Sequence, residues 1–126
     1  MEKNEFSVLV VDDSDFSRRH LTKIVTDLGY KLAGEASSAK EAIAIIPRQK
    51  PNVCIIDIVM PEISGLELAE TISQNFKGMK IVMISSLSQE NIIIESISAG
   101  ATDFIQKPIS EQQLHNSLEK IRDSFN

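Results

Sequence analysis

The sequence has a single cysteine, only 13 basic residues against 18 acidic ones, and no long apolar run. Each shortage excludes something. Cys54 has no partner within the chain, so neither an intrachain disulfide nor a multi-cysteine zinc site is available, and the composition suits a reducing compartment. No stretch approaches the roughly 18 apolar residues that a bilayer span needs. The opening Met1-Glu2-Lys3-Asn4-Glu5 is neither a basic n-region nor an apolar h-region. A soluble, cytoplasmic protein without membrane insertion is expected. The net charge of -5 and a pI near 5.0 argue against direct binding of nucleic acid, whose phosphate backbone is gripped by lysine and arginine. Repeats, low-complexity segments and linkers are also missing. The 126 residues are expected to form one domain, 1–126, burying about two-thirds of its unfolded surface.

What is present is an alternation of short apolar runs with amphipathic stretches. Phe6 to Val11 is a continuous β-branched run of the kind that forms a strand covered on both faces. Leu21, Ile24, Val25 and Leu28 then fall at helical spacing, with Gly29 as a left-handed stop. Tyr30 to Ala36 reads as a weaker strand. Ser38 and Glu41 have the spacing of a capping box for a second helix, which Pro47 should end. Val53 to Asp57, Lys80 to Ser85 and Asp103 to Gln106 are the remaining strands. The intervening helices start near Gly65 and Gln89, and a last one is capped by Ser110 with Gln113.

Alternating strands and helices, with strands too apolar for a wet face, predict an α/β fold. It is a doubly wound, five-stranded parallel sheet in the order 2-1-3-4-5, with five helices on its two faces, as in flavodoxin. A closed eight-fold barrel would need about twice the length. In such a sheet ligands bind at the carboxyl ends of the strands, where the strand order reverses. The polar residues collect there: Asp12 and Asp13 after the first strand, Asp57 on the third, Ser85 and Ser86 on the fourth, Lys107 and Pro108 after the fifth. If the first and third strands are neighbours, three carboxylates converge. Their repulsion calls for cations, with Lys107 as one and a hard divalent ion such as Mg²⁺ as the other. A carboxylate can act as a nucleophile toward phosphorus, giving an acyl phosphate. Asp57, isolated on the middle strand, is the candidate, and the Ser85 hydroxyl is placed to meet a phosphoryl oxygen.

The segments "VLVVDDSDFSRR", "IIDIVMPEISGLEL", "VMISS" and "AGATDFIQKP" closely resemble the receiver domains of two-component response regulators, above all the stand-alone chemotaxis type. The similarity runs from about Phe6 to Phe125. It implies that Asp57 is the phosphoacceptor for a histidine kinase or histidine phosphotransfer protein. It also implies Mg²⁺ held directly by Asp13 and Asp57, through water by Asp12, and by the backbone carbonyl of Val59. Ser85 would be the switch hydroxyl, Phe104 the switch aromatic and Lys107 the lysine at the phosphoryl group, followed by a cis peptide to Pro108. The resemblance implies no enzyme in the ordinary sense, because a receiver catalyses only its own phosphorylation and dephosphorylation. It implies a downstream protein target that binds the surface of the fourth helix, fifth strand and fifth helix.

Two positions depart from receivers that lose phosphate quickly: Val59 and Leu87 are apolar where those carry polar residues. Slow self-hydrolysis is expected, with a separate phosphatase or back-transfer ending the signal. Ile92, Ile93 and Ile94 cannot all face one helical stripe, so at least one should be exposed. A second reading takes Asp13-x-Asp15 as the nucleophile motif of a small haloacid-dehalogenase-like phosphatase, with Asp13 phosphorylated. Arg18 and Ile24 exclude an EF-hand loop at Asp13, because that loop needs glycine and glutamate there. The two acids at the first turn would repel FMN.

Overall fold

The computed structural model describes residues 1–87 and 89–125, so Ser88 and Asn126, the last residue of the expected domain, lie outside the described residues. After a 3-10 turn at Lys3–Glu5, the elements are β1 (Ser7–Val11), α1 (Asp15–Asp27), β2 (Lys31–Ala36), α2 (Ala39–Gln49) and β3 (Val53–Asp57). There follow α3 (Gly65–Asn75), β4 (Lys80–Ser85), α4 (Glu90–Ser98), β5 (Asp103–Gln106) and α5 (Glu111–Asp123). The strands are parallel and ordered β2-β1-β3-β4-β5, as the alternation predicts.

Continuous apolar strands make sense once both faces are covered. Along β1, Val8 and Val10 point into one core with Leu21, Val25, Leu114 and Leu118 of α1 and α5. Leu9 and Val11 point into the other, with Ala42 and Ile46 of α2 and Leu68 and Ile72 of α3. Period-2 alternation therefore feeds two separate cores. Every residue of β1 and β3 is buried. At roughly 1.5–3 kcal/mol for each fully buried large side chain, these central strands fix the register of the sheet. The outer strands differ from the expectation of strands with no wet face: Lys31 and Glu35 of β2 and Gln106 of β5 are exposed. Each edge strand has a neighbour on one side only, and the charges on β2 discourage pairing with another chain.

Four of the five helices open on serine. Ser14, Ser38, Ser64 and Ser110 each accept a backbone N–H from the residue three ahead, a cap worth about 1 kcal/mol. Ser110 and Gln113 form the full capping box. The expected box at α2 is half made: Ser38 caps Glu41, but the Glu41 carboxylate reaches back to the N–H and hydroxyl of Ser37, each at 2.6 Å. Both donors of Ser37 thus converge on one Glu41 oxygen. Pro47 does not end α2, contrary to the sequence expectation. It sits in the last turn, and the helix continues to Gln49 with Lys50 in the left-handed conformation. The stop is Pro51, just beyond the cap, where a proline cannot continue a helix.

The N-terminus of α3 seats directly on the end of β3. The Gly65 N–H donates to the Ile58 carbonyl at 2.8 Å. A Cβ at this position would run into the Asp57 carbonyl oxygen and come within 2.8 Å of the Ile58 Cα, both backbone atoms that cannot turn aside. Gly65→Ala is therefore expected to destabilise the fold by about 1–3 kcal/mol in urea unfolding, and to shift the Asp57 amide resonance.

Candidate functional site

Register alone brings the acids together. Val11 pairs with Ile56, and Asp57 with Ile84. Extending β1 by one residue sets Asp12 level with Asp57, at the switch point between β1 and β3 where the chain leaves in opposite directions. On the other side Ser85 pairs with Gln106, and the next N–H, that of Lys107, donates to the Ser85 carbonyl at 2.8 Å. The lysine thus leaves the end of β5 beside the acids. The Lys107-Pro108 peptide is cis.

The Lys107 ammonium donates to Asp12 Oδ2 at 3.2 Å, Asp57 Oδ2 at 3.3 Å and Ser17 Oγ at 3.1 Å. Asp12 is wholly buried, and its carboxylate accepts three donors: Ser14 N–H, the Ser17 hydroxyl at 2.6 Å, and Lys107. Asp57 is 7 % exposed and accepts the Val59 N–H at 3.3 Å. Asp13 is exposed at the mouth. One carboxylate oxygen each from Asp12, Asp13 and Asp57 lie within 4.8 Å of one another. This all-oxygen, three-carboxylate donor set fits a hard divalent cation.

Burial lifts the Asp57 pKa above its ordinary carboxylate value; Lys107 opposes the shift and the nearby Asp12 charge adds to it. For Lys107, burial opposes the charge, but Asp57 and Asp12 together outweigh it and hold the ammonium above its ordinary value. Among the described residues, no buried side-chain nitrogen or oxygen lacks a hydrogen-bond partner.

The structure therefore brings Asp12, Asp13, Asp57 and Lys107 into one cluster. Ser85, completely buried, is the last residue of β4, and its Oγ accepts the Leu87 N–H at 3.0 Å. Phe104 lies half-buried on β5, level with Met83 and packed on the second core. Val59 is 56 % exposed beside the cluster.

Two residues escaped the sequence reading. Ser17 shares the helical stripe of Leu21, Ile24 and Leu28, and a polar residue at the head of an apolar stripe was the available signal. Arg18 clamps three elements. It donates to the Asp12 carbonyl and the Glu35 carboxylate, both at 2.9 Å, and to Asp15 at 2.6 Å. Its pairing with Glu35 of β2 has no signature at the level of spacing. The same clamp bears on the haloacid-dehalogenase-like reading, because Asp15 opens α1 and is engaged by Arg18. Cys54 is buried in the core, which raises its thiol pKa, and His20 and His115 lie apart on α1 and α5.

Comparison with known proteins agrees with this geometry. A family model described as the response regulator receiver domain matches residues 8–119. The chemotaxis protein CheY of Thermotoga maritima is 39% identical over 114 residues, covering 90% of this chain and 95% of that protein. CheY of Bacillus subtilis is 31% identical, covering 90% of this chain and 94% of that protein. Among solved structures, the CheX-CheY-BeF3-Mg complex of Borrelia burgdorferi superposes with a TM-score of 0.87 at 29% identity, over 92% of this chain and 88% of that one.

The raised Asp57 pKa has a thermodynamic consequence with a definite sign. A carboxyl group whose pKa is higher folded than unfolded favours the fold while protonated, and that contribution fades as pH rises through the folded value. Asp57→Asn, which keeps the shape without the charge, should therefore stabilise the protein at pH 7. The gain should shrink toward zero as pH falls into the carboxylate range, followed by urea unfolding in the presence of a chelator.

Proposed function

The chain belongs to the response regulator receiver domain family, and from that premise we propose that Asp57 is its phosphoacceptor and α4, β5 and α5 its output surface. The observation that carries the proposal is the bridging of Asp12 and Asp57 by Lys107 at the strand ends. A phosphohistidine, on a histidine kinase or phosphotransfer protein, presents its phosphorus to an Asp57 carboxylate oxygen. The new P–O bond forms as the P–N bond breaks, and the freed imidazole leaves as the donor's own side chain. Lys107 stands within reach of the oxygens that gain charge, and such transfer depends chiefly on positioning and charge neutralisation. Asp13 and Asp57, with Asp12 through water and the Val59 carbonyl, would hold Mg²⁺, which when bound offsets the negative charge of the phosphoryl group.

The acyl phosphate carries about -2 charges in place of the carboxylate's -1, a net change of about -1, and presents three strong acceptors. Ser85 turns its hydroxyl toward them, releasing Leu87, and Phe104 repacks into the space behind it. The fourth helix carries the exposed Ile94 and Ile97, at 54% and 63%, one turn apart on a face suited to a downstream protein. Chemotaxis is the pathway most consistent with the CheY relatives. The domain acts as a switch and not as an enzyme with turnover of a separate substrate. A cytoplasmic location fits this role; no helix among the described residues is long and apolar enough to cross a membrane.

Incubation with acetyl phosphate and Mg²⁺ should add one phosphoryl group per chain, mapped to Asp57 by peptide mass, with none on Asp57→Ala. The family match lends no support to the phosphatase reading with Asp13 as nucleophile, and an adduct anywhere but Asp57 would overturn the present assignment. Val59 and Leu87 are both exposed at the site and neither can orient an attacking water. The adduct should accordingly persist, and Val59→Asn should speed phosphate release roughly tenfold or more by supplying a hydrogen-bonding group.

A further inference from the structure

We propose that Ser17 is a positioning residue that parks Lys107 between the two carboxylates and thereby lowers the divalent-cation affinity of the resting site; this rests on the metal reading above. An ammonium has three N–H donors. In this site they have three acceptors, Asp12, Asp57 and Ser17, at 3.1 to 3.3 Å. The Ser17 hydroxyl directs its own proton to Asp12 Oδ2 at 2.6 Å, so its lone pairs are left facing the lysine. Ser17 is thus the third leg of the lysine's seat and also a donor to the buried Asp12.

Both contacts oppose a cation. The hydroxyl fills an acceptor position on Asp12 that a metal-bound water would otherwise use, beside those already taken by Ser14 N–H and Lys107. By completing the lysine's hydrogen bonding it keeps a positive charge within 3.3 Å of two candidate metal ligands. Without Ser17 the ammonium has only two protein acceptors and swings more readily to solvent, where its side chain is already 25% exposed. Phosphorylation supplies a replacement: phosphoryl oxygens on Asp57 become the lysine's new acceptors. Ser17 therefore marks the resting position that the lysine leaves.

The role is separable from helix capping. Ser17 contributes its backbone N–H to the Ser14 cap, a contact its side chain takes no part in. Alanine is also the better helix former. Ser17→Ala is expected to bind Mg²⁺ about three- to tenfold more tightly than the native protein, followed by amide chemical shifts during a Mg²⁺ titration. Ser17→Thr keeps the hydroxyl and should stay close to the native affinity. If Ser17→Ala did not fold, Ser17→Cys, similar in shape and a weak donor, would take its place with the same expected direction. A native-like spectrum with unchanged or weaker Mg²⁺ binding in the variant overturns the proposal. Absence of any Mg²⁺-dependent shift in the native protein overturns the metal reading itself, and this proposal with it.

Discussion

The ammonium of Lys107, held between Asp12 and Asp57, is the contact on which the site depends. Parallel β1 and β3 in their observed register leave no choice about where the two acids go. Like charges about 4 Å apart repel by roughly 4 kcal/mol at an effective dielectric near 20, more than a buried leucine contributes to the core. A sheet ending in these acids needs a cation delivered from elsewhere in the chain. Strand β5 delivers it, because the Lys107 N–H continues the ladder past Ser85 and its side chain turns back over β3. Asp57 still pays for its charge, as its raised pKa records. The result is a site short of positive charge, suited to a second cation and, with that cation bound, to a phosphoryl group.

How much of this was legible in the sequence follows from the kind of force involved. Strand limits were readable wherever burial on two faces produced an unbroken apolar run, and Val53–Asp57, Lys80–Ser85 and Asp103–Gln106 fall where the pattern put them. The convergence of Asp12, Asp13 and Asp57 followed from topology, because strand ends are placed by the sheet and not by side-chain detail. Helix ends were harder. The sequence pattern puts the end of the second helix at Pro47, and only the geometry of the last turn shows that it is tolerated and that Pro51 terminates α2. Side-chain choices between nearly equal partners were not legible at all: Glu41 takes Ser37 over Ser38, and Arg18 finds Glu35 across the α1–β2 boundary.

The same distinction separates the resting site from its output. The floor of the site is firmly placed, since Asp12 and Ser85 are fully buried and bonded. The groups around it are held more loosely: Lys107 at the edge of solvent, Phe104 half-buried, and α4, whose N-cap Gln89 makes no side-chain cap bond, unlike the serines of the other helices. A buried, hydrogen-bonded floor thus adjoins groups with fewer constraints on them. A switch needs that gradient, because a small rearrangement at the phosphoryl group must select between two packings some distance away.

The most direct test is a crystal structure of the protein with beryllofluoride and Mg²⁺. The account predicts the beryllofluoride adduct on Asp57, with the Lys107 ammonium shifted from Ser17 onto a fluorine and the cation among Asp12, Asp13 and Asp57. An adduct on another residue, or one on Asp57 with Lys107 still seated between the carboxylates, would contradict it.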